Sequence, residues 1–292
     1  MKRCLACERC FAADDWRCPA CGRTPLIRDG FAVFAPELAD VNDGFEARYF
    51  DDLEALEAGH FWFRARNRLI LAMLHRFFPS CRQFFEIGCG TGFVLRGVRD
   101  ASPAIELSGS DIFCDAIAVA RRRLPDARLM QIDARRIPFD AEFDVIGAFD
   151  VLEHIAEDED VLHQMHRAVR PGGGVLITVP QHQFLWSVVD DYSFHKRRYS
   201  RRELFDKLRR AGFRVLRMTS FVSSLLPLMW LSRRRQPRDV GAFDPRAELR
   251  IGRATNALLE TVMTVERGVI LSGVSLPAGG SLLAVAQRED GA

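Results

Sequence analysis

Two sets of residues in this 292-residue chain have the types and the spacing to do chemistry. The first is Cys4-Leu-Ala-Cys7 and Cys18-Pro-Ala-Cys21-Gly22, two knuckles separated by ten residues. Four thiolates at this spacing form a closed tetrahedral zinc site. Cys7 and Cys10 make a further Cys-x-x-Cys pair, so Cys10 competes for a place in the set. We prefer Cys4 with Cys7, because Phe11 then follows where a ribbon carries its aromatic residue. The second set is Glu86-Ile-Gly88-Cys89-Gly90-Thr-Gly92, with Asp111 and Asp133 further along. Its glycines permit a tight turn and close approach of backbone to a ligand. The spacing is Gly-x-Gly-x-Gly, unlike the Gly-x-Gly-x-x-Gly of dinucleotide sites, and an acid precedes it. A pyrophosphate seeks a helix N-terminus, whereas S-adenosylmethionine carries no phosphate and has a cationic sulfonium and amine. Carboxylates beside the turn suit the second ligand. Asp111, about twenty residues on, can accept from both ribose hydroxyls, and Asp133 with Ala134 falls where the adenine amine would lie.

These residues need a scaffold, and the pattern supplies one. Candidate strands are Gln83–Gly88, Ile105–Ser110, Arg128–Ile132, Phe143–Phe149 and Gly174–Val179, with helical spacers between most of them. That alternation predicts a doubly wound α/β fold with a parallel sheet. Ser200-Arg-Arg-Glu203 caps a helix that Gly212 stops, and strands at Phe213–Thr219 and Ser281–Gln287 bring the sheet to seven. Residues 1–30 read as the zinc ribbon, lacking a core of their own; metal binding contributes roughly 10–16 kcal/mol to such a segment. Residues 31–80 read as a helical connector, 81–220 with 280–292 as the core, and 221–279 as an inserted helical segment. The insertion is much longer than an ordinary connection.

Composition narrows the function. With 41 basic and 39 acidic residues the net charge is +2, so no uniform attraction to nucleic acid or anionic lipid is implied and no nucleic-acid partner is expected. Only Lys2, Lys196 and Lys207 are lysines, so the arginine excess is compositional. Five of the eight cysteines precede residue 22 with no apolar leader before them, which points to a reducing, cytoplasmic setting and to metal ligation instead of disulfides. Cys81, Cys89 and Cys114 read as core thiols. The longest apolar runs, Phe221–Leu231 and Val269–Leu276, fall well short of the roughly 20 residues of a spanning helix.

Taken together, Glu86–Gly92, Asp111, Asp133-Ala134, Phe149-Asp-Val-Leu-Glu-His154 and Arg170-Pro-Gly-Gly-Gly174 resemble the successive motifs of class I S-adenosylmethionine-dependent methyltransferases, over roughly residues 60–220 and 280–288. The resemblance implies a seven-stranded Rossmann-like methyltransferase sheet. It also implies cofactor contacts from Arg68, Glu86, Gly88, Cys89, Gly90, Gly92, Asp111, Ile112, Asp133, Ala134 and Phe149. His154, just past the fourth strand, is the candidate general base; the alternative is that it only holds its loop. Asp150-Val-Leu-Glu153-His154 is similar to the acid-x-x-Glu-His segment of ubiquinone-biosynthesis O-methyltransferases, which implies a magnesium site on Asp150, Glu153 and His154. Trp186, Asp190, His195, Arg198 and Tyr199 match the acceptor-side pattern of a methyltransferase subgroup. The implied reaction is O-methylation of a small acceptor, and the apolar helix pieces of the insertion suggest a lipophilic one. The insertion then serves as a cover over the acceptor pocket or, through its apolar run and Arg233–Arg238, as a peripheral membrane contact. Two rivals are a non-catalytic adaptor whose ribbon binds a partner, and a nicotinamide-dependent oxidoreductase. The motifs do not specify an oligomeric state.

Overall fold

A computed structural model describes residues 1–39, 47–235 and 250–289. Alternation of apolar side chains along five central strands builds two cores at once. In β5 (Gln83–Ile87), Phe84 enters one apolar cluster and Phe85 the opposite one. Val145 and Ile146 divide likewise in β8 (Phe143–Phe149), as do Leu176 and Ile177 in β9 (Val169–Pro180). Strands buried on both faces read as continuous apolar runs, which is the mark of a sheet covered by helices on each side. One face carries α3 (Phe61–Phe77), α4 (Phe93–Ala101) and α5 (Cys114–Arg123); the other carries α6 (Asp158–Ala168) and, after the short α7 (Val188–Tyr192), α8 (Arg201–Arg210). Ser200 caps α8 through the Glu203 N–H at 3.1 Å, as its spacing predicts.

The sheet runs β10, β11, β9, β8, β5, β6, β7, β4, β3. Here β6 is Glu106–Asp111, β7 Arg128–Gln131, β10 Phe213–Phe221 and β11 Ser281–Arg288. β5 to β9 are parallel, and β11 is antiparallel to both of its neighbours. The chain leaves β5 toward β6 on one side and reaches β8 on the other. Strand order therefore reverses at β5, and the crevice beyond the strand carboxyl ends at such a point is where ligands bind in open α/β sheets.

All seven expected strands form, and two more join them. β3 (Leu26–Arg28) and β4 (Phe31–Val33) make a hairpin, and β4 pairs in parallel with β7 through Ala32 and Val33. Phe31–Val33, expected in the helical connector, is thus a strand that widens the sheet, with β3 as its new edge. The rest of the connector holds α1 (Pro36–Ala39), α2 (Ala47–Glu57) and α3. Before the hairpin lies a miniature sheet of β1 (Lys2–Arg3) and β2 (Cys10–Phe11). Between β10 and β11, α9 (Leu226–Arg235) and α10 (Arg253–Leu271) form the inserted segment. α10 packs along α3, where Asn256 accepts from the Phe61 N–H at 2.8 Å. Gln236, Pro237 and Arg238 of the basic stretch, and residues 290–292 of the expected core, lie outside the described residues.

Candidate active site

The glycine turn is held from behind by an acid. One oxygen of Asp111 accepts from the Gly90 N–H at 2.9 Å and the other from the Phe113 N–H at 3.0 Å. Gly88, Gly90 and Gly92 all have positive φ, and a Cβ on Gly88 would stand 2.4 Å from Val151 Cγ2. The turn therefore packs directly against the segment after β8. Nothing lies within 4 Å of a Cβ built on Gly90, so that side opens outward. Cys89 is buried beneath the turn, donating its N–H to the Ser110 carbonyl, which fits the core-thiol reading.

Glu86, next to last in β5, is almost fully buried, with Oε2 lacking a hydrogen-bond partner. Burial pushes its carboxyl well above the usual range, and the Arg66 charge draws it back. An unpaired buried acceptor at this strand end is what an incoming cationic amine would satisfy. Asp111 is also raised by burial, opposed by its backbone N–H donors. Asp133, past β7, is gripped by Arg135, whose Nε and Nη2 lie 3.0 Å from its two oxygens. Ile112 and Ala134 follow their acids, and Phe149 ends β8 with its side chain in the α3 to α5 core.

Arg68 does not join this group. Its Nη1 bonds Glu260 Oε1 of α10 at 2.7 Å, and Arg64 bonds the same carboxylate. Four residues apart, Arg64 and Arg68 share the outer face of α3. Arg66 is about 200° round the helix from Arg68 and faces the site. It stacks over Trp62 at 4.5 Å, pairs with Asp150, and acts electrostatically on Glu57, Glu86 and Glu153. Glu57, at the end of α2, was not singled out in the sequence. It is buried, accepts from Thr91 Oγ1 at 2.8 and 2.9 Å and pairs with Arg123 at 2.5 Å, tying α2 to the glycine turn. Nothing local in the sequence marks that triad, because its members meet only through the fold.

Beyond β8 a 3-10 turn, Leu152–His154, presents the acid-histidine segment. Glu153 is wholly buried and neither oxygen has a hydrogen-bond partner; burial and the Asp150 charge raise its carboxyl well above the usual range. His154 lies edge-on to His195, with ring centroids 4.7 Å apart. Burial, aided by the His195 charge, lowers its imidazole to about 4, so it is neutral at physiological pH. His195 is fixed from its far side, where Nδ1 lies 2.8 Å from Asp190 Oδ1. Asp190 is fully buried and also accepts from Arg198 Nε at 2.7 Å, Arg233 Nη1 at 3.0 Å and the Ser187 N–H at 2.9 Å. These partners hold its carboxyl far below the usual range against the cost of burial. Tyr199 turns inward, donating to Asp158 Oδ2 at 2.5 Å beside Lys207.

The magnesium trio suggested by the sequence does not assemble, because Asp150 is drawn to Arg66. The donors that converge are Glu153, His154 and His195, whose ligand atoms lie within 4.8 Å of one another. At the N-terminus Cys4, Cys7, Cys18 and Cys21 meet the same criterion, with Cys4 and Cys21 sulfurs 3.6 Å apart and Cys7 and Cys18 likewise. Cys10 sits in β2 opposite Arg3 and outside that cluster.

Residues 60–218 match the model of the methyltransferase domain, which is more than half of the chain. The chain belongs to the methyltransferase domain family. A relative named as a probable S-adenosylmethionine-dependent methyltransferase from Mycolicibacterium smegmatis is 29% identical over 167 residues, 56% of this chain and 63% of the relative. The ubiquinone biosynthesis O-methyltransferase of an Azoarcus species is 29% identical over 109 residues, 35% of this chain and 46% of its own. A dTDP-3-amino-3,6-dideoxy-α-D-glucopyranose N,N-dimethyltransferase of Streptomyces fradiae is 30% identical over 112 residues, 37% and 43%. The chain thus spans 43% to 63% of the length of these curated relatives. Among solved structures, the phosphoethanolamine N-methyltransferase 2 of Haemonchus contortus superposes with a TM-score of 0.57 at 18% identity, over 85% of this chain and 59% of that one. The [4+2]-cyclase SpnF gives 0.56 at 20% identity, over 84% and 96%. These likenesses establish the fold and leave the acceptor open, since the named relatives act on different atoms.

Proposed function

We propose that this chain transfers a methyl group from S-adenosylmethionine to an oxygen of a small, lipophilic acceptor. The observation that carries the reading is the juxtaposition, across one crevice, of the acid-backed glycine turn with the His154–His195 pair held by Asp190. When bound, the cofactor supplies a methyl group on a sulfonium that is already electrophilic. The chain's own residues then have three tasks. Asp111 and Asp133, with Ile112 and Ala134, hold the nucleoside; Glu86, with its unsatisfied oxygen, faces the amine; Arg66, in place of Arg68, faces the carboxylate. Gly88, Gly90 and Gly92 admit the ligand to the backbone, while Cys89 and Phe149 shape the wall behind it. The histidine pair takes the proton of the acceptor hydroxyl; Asp190 on Nδ1 fixes the tautomer of neutral His195 and then balances the charge the ring gains with the proton. Most of the remaining acceleration comes from orientation and exclusion of water.

The lipophilic class is supported by apolar side chains left exposed at the acceptor side: Phe184 and Phe194 beside the Asp190 network, and Leu228, Trp230 and Leu231 on α9. Arg233 joins α9 to that network through Leu185, Ser187 and Asp190, which favours the cover. The same exposed residues, with Arg234 stacked on Trp230 at 3.9 Å, suit a peripheral membrane contact. The test is methyl transfer from labelled cofactor to panels of lipophilic phenols and alcohols, with amines and small soluble metabolites alongside. Product methylated at oxygen, with kcat lowered about 10²–10⁴-fold in His195→Ala, is expected. Label on nitrogen or carbon, or only on soluble metabolites, would overturn the assignment.

One observation favours a second reading of the histidine pair. Glu153 keeps two unsatisfied buried oxygens against His154 and His195, and a carboxylate with two imidazoles suits a borderline divalent ion better than magnesium. The carboxylate behind His195 is the arrangement that orients metal-bound histidines. Cobalt(II) titration decides it: an absorption band from nitrogen and oxygen ligation, lost in His195→Ala, supports an ion, and bands from thiolate ligation alone refute it.

A further inference from the structure

The zinc ribbon and its hairpin do not stand apart from the crevice; they back its nucleoside end. Gln131, the last residue of β7, is fully buried, and its side-chain amide is spent on two segments. Oε1 accepts from the Ala35 N–H at 2.9 Å, and Nε2 donates to the Ala35 carbonyl at 2.9 Å and to the Ile112 carbonyl at 3.1 Å. Its backbone carbonyl also takes the Phe34 N–H at 2.9 Å. The chain just after the ribbon hairpin is thereby bonded to the residue that follows Asp111. A second path starts at the metal knuckle itself. Arg136 Nη2 donates to the carbonyl of Leu5, between Cys4 and Cys7, at 3.1 Å. The N–H of the same Arg136 bonds the Asp133 carbonyl at 2.8 Å. Arg3 N–H adds a bond to the Pro138 carbonyl at 2.9 Å, and Trp16 packs edge-on against Phe139 at 5.5 Å and Phe34 at 4.7 Å. Asp111 thus lies one residue from a carbonyl fixed by way of the hairpin, and Asp133 is bonded through its own carbonyl to a residue fixed by the ribbon.

We propose that metal binding at the four ribbon cysteines and nucleoside binding at Asp111 and Asp133 are thermodynamically coupled, with Gln131 and Arg136 as the positioning residues that link them. The inference rests on the reading of the glycine turn and its acids as an S-adenosylmethionine site. The four thiolates fit zinc by number and by convergence. Occupied, the knuckle holds the Leu5 carbonyl where Arg136 meets it, and the Asp133 loop is ordered before ligand arrives. Emptied, the loop must be ordered by the ligand itself, at a cost in affinity. Linkage requires the effect to run in both directions by the same factor.

The experiment is calorimetric titration of S-adenosylhomocysteine and of adenosine into the zinc-loaded full chain and into the chelator-stripped chain. A paired measurement of zinc affinity, by competition with a chromophoric chelator, is made with and without saturating S-adenosylhomocysteine. We expect stripping to weaken both ligands by the same factor, about tenfold, because the change sits at the half they share. Zinc should be held more tightly by that factor when the ligand is present. In the zinc-loaded Arg136→Ala chain the affinity for both ligands should fall toward the stripped value while zinc content stays at one per chain. That variant carries the test if stripping unfolds the core. Equal affinity with and without zinc, or an unchanged affinity in Arg136→Ala, overturns the coupling while leaving the cofactor site intact. Failure of S-adenosylhomocysteine to bind the zinc-loaded chain overturns the cofactor reading itself.

Discussion

Replacing Asp111 by alanine should cost most of the cofactor affinity, and the size of the loss follows from how the carboxylate is used. Two of its acceptor sites are taken by the Gly90 and Phe113 N–H groups at 2.9 and 3.0 Å, leaving the others for a ribose diol. Hydrogen bonds to an ionised acceptor contribute about 1.5–3 kcal/mol each, so two are worth about 3–6 kcal/mol. Water entering the emptied space recovers part of this, which places the expected loss near 10²–10³-fold. Asp111→Asn keeps one acceptor oxygen but turns an N–H toward donors, and should fall between alanine and the native residue. The assay is calorimetric titration with S-adenosylhomocysteine, with thermal unfolding of each variant as the control for a folded sheet. A folded Asp111→Ala chain that binds within threefold of the native one would refute the assignment of the second strand end to the ribose.

Other consequences can be measured without a known acceptor. Gly88→Ala must accept both a left-handed φ of +66° and a Cβ 2.4 Å from Val151; the two together should cost about 2–5 kcal/mol in denaturant unfolding. A second change, Val151→Ala, should return only the steric part. His154, lowered by burial to about 4 from 6.5, binds its proton in the unfolded chain before the folded one. Its contribution is therefore complete above pH 6.5, declines as pH falls through that value, and is exhausted near pH 4, about 3 kcal/mol in all. His154→Gln should flatten the stability slope in that window, and an unchanged slope would place the histidine in solvent. Cys18→Ser should drop bound zinc well below the native content and make the first thirty residues the earliest site of limited proteolysis; full retention of metal would remove Cys18 from the ligand set.

What the sequence made legible was whatever depends on short spacing. The seven strands are visible because each runs long enough to show its pattern, and the glycine turn and the acids lie at strand ends that the pattern locates. β3 and β4 were not visible, since three residues such as Leu26–Arg28 are too few for a period, and they join the sheet only because β7 offers a free edge. Arg68 was chosen by its distance along the chain from the turn, but a helix sorts residues by angle, and two positions decide between opposite faces. Asp190, His195 and Arg198 were readable as a pattern of polar residues. That His195, backed by Asp190 and Arg198, meets His154 some forty residues earlier is a property of the β8 and β9 ends lying side by side. Glu57 with Thr91 and Arg123, and Gln131 with Ala35, are likewise tertiary pairings with no trace in local spacing.

The insertion begins and ends at neighbouring points of the sheet. Phe221 is the register partner of Ser281, so β10 and β11 bring the two ends of the excursion together whatever lies between them. The edge strands thus act as a clasp, and the entropy of closing the loop is settled by the hairpin ladder instead of by the inserted helices. Each doubling of length adds only about 0.6 kcal/mol to such a closure. Exchange of α9 therefore carries little loop-closure penalty, whereas α10 is bound into the fold, with Asn256 on the Phe61 N–H, Glu260 on Arg64 and Arg68, and Met263 and Ile270 in the core. A new segment in place of α9 would need a substitute for Arg233, which bonds the Asp190 network.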